Sequence, residues 1–443
     1  MFSNKDLRKL IIPLVIEQLL AVTIGMADTV MVSSCGEAAV SGISLVDSIN
    51  FLLITLFSSL ATGGAVIASQ YIGRGDHKSA SLAAKQLFYA SLALSAVLGV
   101  IAVFFRKPGL NMVFGSIEAD VMAHAQIYFL LSAISYPFLA VYNAGAALFR
   151  SMGDSRTTML ISILMNTINI VGNAILIYGF QMAAAGAATA SLVSRAVGAI
   201  IITVLLLNPR RIIFYDKLHK PEIHLSMLKS ILQIGVPNGL ENSIFQIGKI
   251  LVASIVSGFG TISITANAVA GNLASLQVIP GMALGMAMIT VVGQCIGAKD
   301  YEAVKKYTKK LMLITYGVVW AMTLLMLLFS KQILSFYSLS EETTTMTMEV
   351  FIVHGICAVI VWPLAFALPN ALRAANDVRF TMIVSLLSMW IFRIGFSYIL
   401  AIYFNMGILG TWIAMCIDWF CRGACFVIRF ARGKWKNISF IDN

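Results

Sequence analysis

The feature that most constrains this chain is an internal repeat. Shifted by 224 positions, the start of the second half lies on the first without a gap: IPLVIEQLL meets VPNGLENSI, pairing Pro13 with Pro237 and Glu17 with Glu241. QYIGRGD meets QCIGAKD, pairing Gln70, Gly73 and Asp76 with Gln294, Gly297 and Asp300. One residue is then lost, and at a shift of 223 RSMGDSRTTM meets RAANDVRFTM, pairing Arg150, Asp154 and Arg156 with Arg373, Asp377 and Arg379. From Gly186 and Gly410 the shift is 224 again. Apolar segments align loosely by composition alone, but polar loops do not. The chain is a duplicated unit.

What each unit is made of follows from its hydropathy. Of the 443 residues, 59% are hydrophobic and 12% charged, against about 25% charged in a soluble protein. Apolar stretches long enough to cross a bilayer recur from end to end. They predict twelve helices, over 10–32, 42–70, 86–105, 122–148, 157–178, 184–207, 231–257, 264–293, 311–329, 346–370, 380–403 and 407–428. The expected fold is an all-α polytopic membrane protein, its twelve transmembrane helices forming two six-helix lobes related by a parallel pseudo-two-fold repeat. The expected domains are an N-lobe (1–207), a polar, basic linker (208–226) and a C-lobe (227–443). An even number of helices per repeat inserts both copies in one orientation, and rocking of such lobes gives alternating access to a path between them.

The net charge of +11 is explained by topology. Lys5, Arg8, Lys9, Arg74, Lys78, Lys85, Arg150, Arg156, Arg210, Arg211, Lys217, Lys220 and Lys229 fall on one side of the predicted spans. Lys299, Lys305, Lys306, Lys309, Lys310, Arg373, Arg379 and the basic tail join them, leaving Arg106, Lys107 and Lys331 opposite. The positive-inside rule then makes both termini cytoplasmic, in a multi-pass protein of the cell membrane. No nucleic-acid partner is needed to account for the charge. The six cysteines show neither metal-ligand spacing nor a disulfide framework, and Gly73-Arg74-Gly75 lacks the Lys-Ser/Thr ending of a phosphate loop. No cofactor and no catalytic constellation is expected, so the chain reads as a transporter rather than an enzyme.

The first predicted helix, IPLVIEQLLAVTIGMADTVMVS, resembles the first helix of the multidrug and toxic compound extrusion (MATE) family, with Pro13 fifteen residues before Asp28. SSLATGGAVIASQYIGRGD, the repeated LFRSMGDSRTTM, NIVGNAILI and GAATAS are similar to the same family, and the likeness covers both halves. The resemblance implies a twelve-helix, two-lobe secondary transporter that exports organic cations and other drugs in exchange for H⁺ or Na⁺. Its partners would be amphipathic small molecules, mostly cationic, and the lipid bilayer, and it would work as a monomer. Twenty-two methionines suit an adaptable drug cavity.

Carboxylates in these helices are the candidate site. An ionised acid in hydrocarbon costs about 2.5–3.5 kcal/mol on insertion scales, and a proton or a bound cation relieves that cost. Asp28 lies roughly 27 Å along its helix, in the outer part of the first lobe, and the resemblance makes it the coupling residue. Asn169 and Asn173 share a helical face at i, i+4 and match family positions lining the same cavity. Some members carry an acid at the second of these, so this chain has one negative charge fewer. Ser191 matches a hydroxyl position of helix six, as a further ligand or as interhelical glue. Na⁺, if it is the coupling ion, would sit at Asp28, Asn169 and Asn173.

Glu17 is eleven residues before Asp28 and shares its face, about 16 Å nearer the cytoplasm; a relay, a substrate contact and a basal salt bridge all fit it. Glu241 is its repeat partner and matches an acid used for Na⁺ in the NorM-type branch. That branch adds an acid in helix ten, which is missing here between Glu349 and Asp377. Asp47 is a cavity contact or part of a network with Asn50. Pro13 removes a backbone bond and is the expected conformational hinge. Asp418 and Arg422, at i, i+4, are expected to pair; Lys249, Arg195 and Arg393 take structural roles, and His124 and His354 read as packing residues. Two other functions compete: a lipid-linked oligosaccharide flippase of the same superfamily, which calls for a more cationic cavity, and a membrane-embedded enzyme or receptor, which the repeat disfavours.

Overall fold

The computed structural model of the chain describes residues 2–115, 118–216, 218–220, 222–337, 339–438 and 440; Lys217 of the linker lies outside them. Every regular element among the described residues is helical. Twelve helices are long and apolar enough to span a membrane: α1 Asn4–Ser33, α2 Glu37–Arg74, α3 His77–Phe114, α4 Ala119–Ser151, α5 Ser155–Gly179 and α6 Ala183–Leu206 in the first repeat. The second repeat contributes α7 Leu225–Ser257, α8 Thr261–Gly297, α9 Tyr301–Leu328, α10 Glu341–Ala374, α11 Val378–Tyr403 and α12 Gly407–Ala431. Each predicted span falls within or nearly within one of these helices, and most helices run past their apolar stretch because their polar ends continue beyond the hydrocarbon.

The polar loops that align the two repeats start helices. Asp76 accepts the backbone N–H of Ser79 at 3.0 Å, Asp154 that of Thr157 at 3.1 Å, and Asp300 that of Ala303 at 2.9 Å. Each side chain satisfies a donor that the first turn of α3, α5 or α9 leaves unpaired. Asp377 departs from this pattern: it makes no cap and instead receives Arg429 at 2.6 and 3.0 Å. Backbone conformation repeats as well. Left-handed residues occur at Gly75 and Lys299, at Gly153 and Asn376, at Gln181 and Asn405, and at Ala183 and Gly407.

One difference between the copies lies in α5 and α11. The last turn of α5, Ala174–Gly179, is π-helical, whereas α11 has two π-helical turns, Met389–Gly395 and Ile399–Tyr403. A π-turn takes up an additional residue within a continuing helix. The additional one in α11 is how the second copy absorbs the residue by which the register returns from 223 to 224.

The chain forms two compact units, one over Phe2–Gly239 and one from Leu240 onward, with the boundary inside α7. In the first, Val46, Phe57, Leu110, Phe129 and Tyr136 form a buried core. Gly42 lets α2 close on α4, since a Cβ there would stand 2.8 Å from the carbonyl oxygen of Val121. The second unit buries Val256, Ala266, Trp362, Trp412 and Trp419 together. Phe104, Val204, Leu324 and Ile383 are exposed, the surface expected of helices solvated by lipid. The linker is anchored by burial of Ile213 and Tyr215 and by Gln86 of α3, which donates to the Glu222 carbonyl at 2.7 Å and accepts from the His224 N–H at 3.1 Å.

Candidate functional site

The first unit joins four of the residues singled out in the sequence. Asp28, half-buried on α1, accepts a hydrogen bond from Asn173 Nδ2 at 2.5 Å. The same Nδ2 lies 3.4 Å from Asn169 Oδ1, and Asn169 Nδ2 donates to Ser191 Oγ on α6 at 3.0 Å. The i, i+4 spacing on α5 turns both amides toward α1 and α6, and both are buried. The Oδ1 of Asn173 is buried without a hydrogen-bond partner. The chain from Asp28 to Ser191 thus carries one carboxylate and, on Asn173, one unused amide oxygen.

Asp47 sits on α2, exposed rather than buried, and accepts the Tyr128 hydroxyl at 3.0 Å and Asn50 Nδ2 at 3.3 Å. Asn50 in turn donates to Ser132 at 3.3 Å and accepts the Tyr136 hydroxyl at 2.7 Å. Arg195 on α6 donates to Ser135 Oγ at 2.7 Å and is within electrostatic reach of both Asp28 and Asp47. Sequence reasoning missed the α4 contribution. Tyr128, Ser132, Ser135 and Tyr136 fall at spacings of four, seven and eight, a single polar stripe on an otherwise apolar helix, and that stripe was the available signal.

Glu17 and Asp28 both meet α5, as their shared face requires, but Glu17 does so at the other end. It receives Arg150 Nη1 at 3.1 Å and the Thr158 hydroxyl at 2.8 Å. The second repeat reproduces the arrangement: Glu241 receives Arg373 Nη2 at 2.8 Å and the Ser385 hydroxyl at 2.6 Å. The structure brings neither residue to the Asp28 chain. Pro13 lies inside α1, one turn before Glu17.

The second unit carries a different cluster. Asp418, fully buried, accepts the Ser388 hydroxyl at 2.5 Å and Arg422 Nη2 at 3.3 Å from each oxygen, the expected i, i+4 pair. Arg393 Nη1 stands 3.9 Å from the same carboxylate. Both guanidiniums lie over the Phe245 ring, at 5.3 and 5.4 Å, and Arg422 lies 5.3 Å from the Phe366 ring. Lys249, one turn beyond Phe245 on α7, is exposed. His354 is buried, bonded to Gln277 at 2.9 Å and set among Trp412 and Trp419, a packing position. Among the described residues no three His, Cys, Asp or Glu side chains converge as a metal site.

Comparisons with known proteins bear on the family and the fold. The MatE family model matches residues 13–175 and again 237–399, a displacement of 224 residues that coincides with the repeat. The chain is 28% identical to the uncharacterized transporter YisQ of Bacillus subtilis, over 96% of this chain and 93% of that one. It is 26% identical to a probable multidrug resistance protein NorM of Thermotoga maritima, over 98% and 93%. A crystal structure of a MATE protein in a bent conformation superposes with a TM-score of 0.88 at 20% identity, covering 97% of this chain and 94% of the other. A MOP superfamily transporter from Pyrococcus furiosus, described as having a binding pocket of reverse polarity, does so at 0.87 and 21%, covering 98% and 97%. These neighbours share the fold of two six-helix lobes.

Proposed function

Because the chain belongs to the MatE family of membrane transporters, we propose that it exports amphipathic, cationic small molecules in exchange for H⁺ or Na⁺, with Asp28 as the coupling carboxylate. The single observation that carries this reading is the chain Asp28–Asn173–Asn169–Ser191, which places one acid against a buried amide whose oxygen has no partner. Relatives named as multidrug resistance proteins support the substrate class.

The chemistry is competition for one negative charge. With Asp28 ionised, Asn173 donates its N–H to the carboxylate. With Asp28 protonated, a turned Asn173 amide accepts the new O–H through Oδ1, so the same residue serves both states. Na⁺ as cargo prefers oxygen donors, and the carboxylate with the two amide oxygens supplies them. A cationic drug and the coupling ion then exclude each other from Asp28, and exchange by alternating access follows. Asp47, with Tyr128 and Arg195 beside it, is a secondary cavity contact. Glu17 and Glu241 hold their ends of α1 and α7 through ion pairs, and Pro13 is the hinge of α1. Both termini are cytoplasmic and the monomer is the working unit.

Efflux of a cationic dye from proteoliposomes, driven by a proton gradient alone and by a Na⁺ gradient alone, tests the proposal. Drive by either gradient that is lost in Asp28→Asn supports it; drive unaffected by that substitution overturns it. The flippase reading is favoured by one observation, the excess of cations around Asp418.

A further inference from the structure

The two repeats have opposite charge around their central acids. Around Asp28 the described residues place a second acid, Asp47, and one base, Arg195. Around Asp418 they place two arginines, Arg393 and Arg422, and Lys249 lies within electrostatic reach of Arg393. Duplication does not explain the bases. At a shift of 224, Lys249 lands on Gly25 and Arg422 on Gly198, while Arg393 falls opposite Asn169 or Ile170. Each base stands where the other copy has an uncharged residue.

Asp418 does not balance them. Its oxygens already take Ser388 and both contacts of Arg422, with Arg393 at 3.9 Å. The Nε atoms of Arg393 and Arg422 are buried without partners, in side chains that are 9% and 3% exposed as whole residues. Intramembrane cations are costly and as a rule pair with an acid, so a surplus of this kind calls for an anion from outside the chain.

The backbone is built to hold Arg393 in place. It lies in the π-helical turn Met389–Gly395, the additional turn by which α11 differs from α5. π-turns inside α-helices recur at functional sites. The carbonyl of Arg393 accepts both the Phe396 backbone N–H and the Ser397 hydroxyl. The rings nearby supply an apolar bed. Phe245 lies under both guanidiniums, and its ring centroid is 6.1 Å from that of Phe366, which in turn is 5.4 Å from Trp419.

We infer that the second unit holds a binding site for the anionic group, a carboxylate or a phosphate, of an amphipathic substrate, with Lys249 and Arg393 as its charged contacts and Phe245 and Phe366 as its aromatic platform. Guanidinium and ammonium groups recognise these oxyanions directly, and a few convergent polar groups on an aromatic wall are the common build of a small-molecule site. The site rests on the transporter reading and names where, in the second unit, an anionic substrate group would be held. Arg422, held by Asp418, packs over the rings of Phe245 and Phe366 and positions them.

The test uses the full chain purified in detergent and a pair of dyes on one scaffold, a rhodamine with a free carboxylate and its methyl ester. Equilibrium binding is read by fluorescence polarisation, with no gradient imposed, so a failure of ion-coupled export leaves this measurement standing. Lys249→Gln and Arg393→Gln are expected to weaken the carboxylate dye about tenfold, the scale of losing one charged contact. Ester binding stays within about twofold and reports that the variants are folded, and Arg393→Lys restores most of the carboxylate affinity. Equal loss for both dyes, or no loss for either, overturns the inference. Competition then identifies the source of the anion. Displacement of the carboxylate dye by phosphatidic acid and not by phosphatidylcholine supports the site with a lipid phosphate as occupant; indifference to both lipids supports it with a soluble amphiphile.

Discussion

Asn173 donates a 2.5 Å hydrogen bond to Asp28 while its own amide oxygen, buried on the other side, has no partner. The two residues come from α1 and α5, so the contact exists only when these helices pack. Asp28→Asn keeps a hydrogen-bonding side chain of the same size but removes the charge. Gradient-driven dye efflux is expected to fall by at least about tenfold, or 1.4 kcal/mol, with the melting temperature in detergent changed little. Asn173→Asp adds a second carboxylate to the site, and the half-saturating concentration of a coupling Na⁺ is expected to fall by about tenfold, read from Na⁺-driven efflux. An unchanged value would rule out Asn173 as part of the ion site.

The ion pairs Glu17–Arg150 and Glu241–Arg373 are repeat copies of one another, each with a hydroxyl from the following odd-numbered helix. Their side chains are mostly buried. Removing one partner leaves a charge unpaired, a loss of about 3–5 kcal/mol. Arg150→Met and Arg373→Met are therefore each expected to lower the melting temperature strongly. Combining Glu17→Gln with Arg150→Met is expected to recover a good part of the loss, which a thermal double-mutant cycle measures.

Gln86 is the clasp between α3 and the linker, bonded to Glu222 and His224 at once, and Tyr89 donates to the Leu218 carbonyl at 2.8 Å nearby. Gln86→Leu removes both linker hydrogen bonds, each worth about 0.5–1.5 kcal/mol. Limited proteolysis within 208–224 is expected to speed up by about tenfold or more, while dye binding is retained.

Asp76 caps α3 outside the membrane spans, and the hydroxyl and N–H of Ser79 hold its carboxyl below the usual carboxylate range. A depressed acid contributes stability above its unfolded value, near 3.9, and loses it as pH falls through the folded one. Asp76→Ala is expected to cost about 1 kcal/mol at neutral pH. The gap in melting temperature from the wild type should shrink below about pH 4. A gap that persists at lower pH would show that the cap does not depend on the charge.

Much of this protein was legible along the chain. The twelve spans and the duplication follow from hydropathy and register, properties of neighbours in sequence; the helix starts after Asp76 and Asp300 lie well before the expected spans at 86 and 311, because capped polar turns extend these helices beyond their apolar stretch. The same reasoning placed Asn169 and Asn173 on one face and paired Asp418 with Arg422. It stopped where partners come from distant helices. Nothing local tells that Asp47 meets Tyr128, that Glu17 meets Arg150 rather than the Asp28 chain, or that Asp377 leaves its helix to take Arg429. In hydrocarbon a polar side chain must find its partner among whichever helix faces pack against its own. Sequence by itself therefore determined how many helices there are, which apolar stretches they carry and that they come twice. Only the tertiary structure decided which charges are neutralised and which are left to bind something else, because that depends on helix rotation and on a one-residue π-turn that composition does not record.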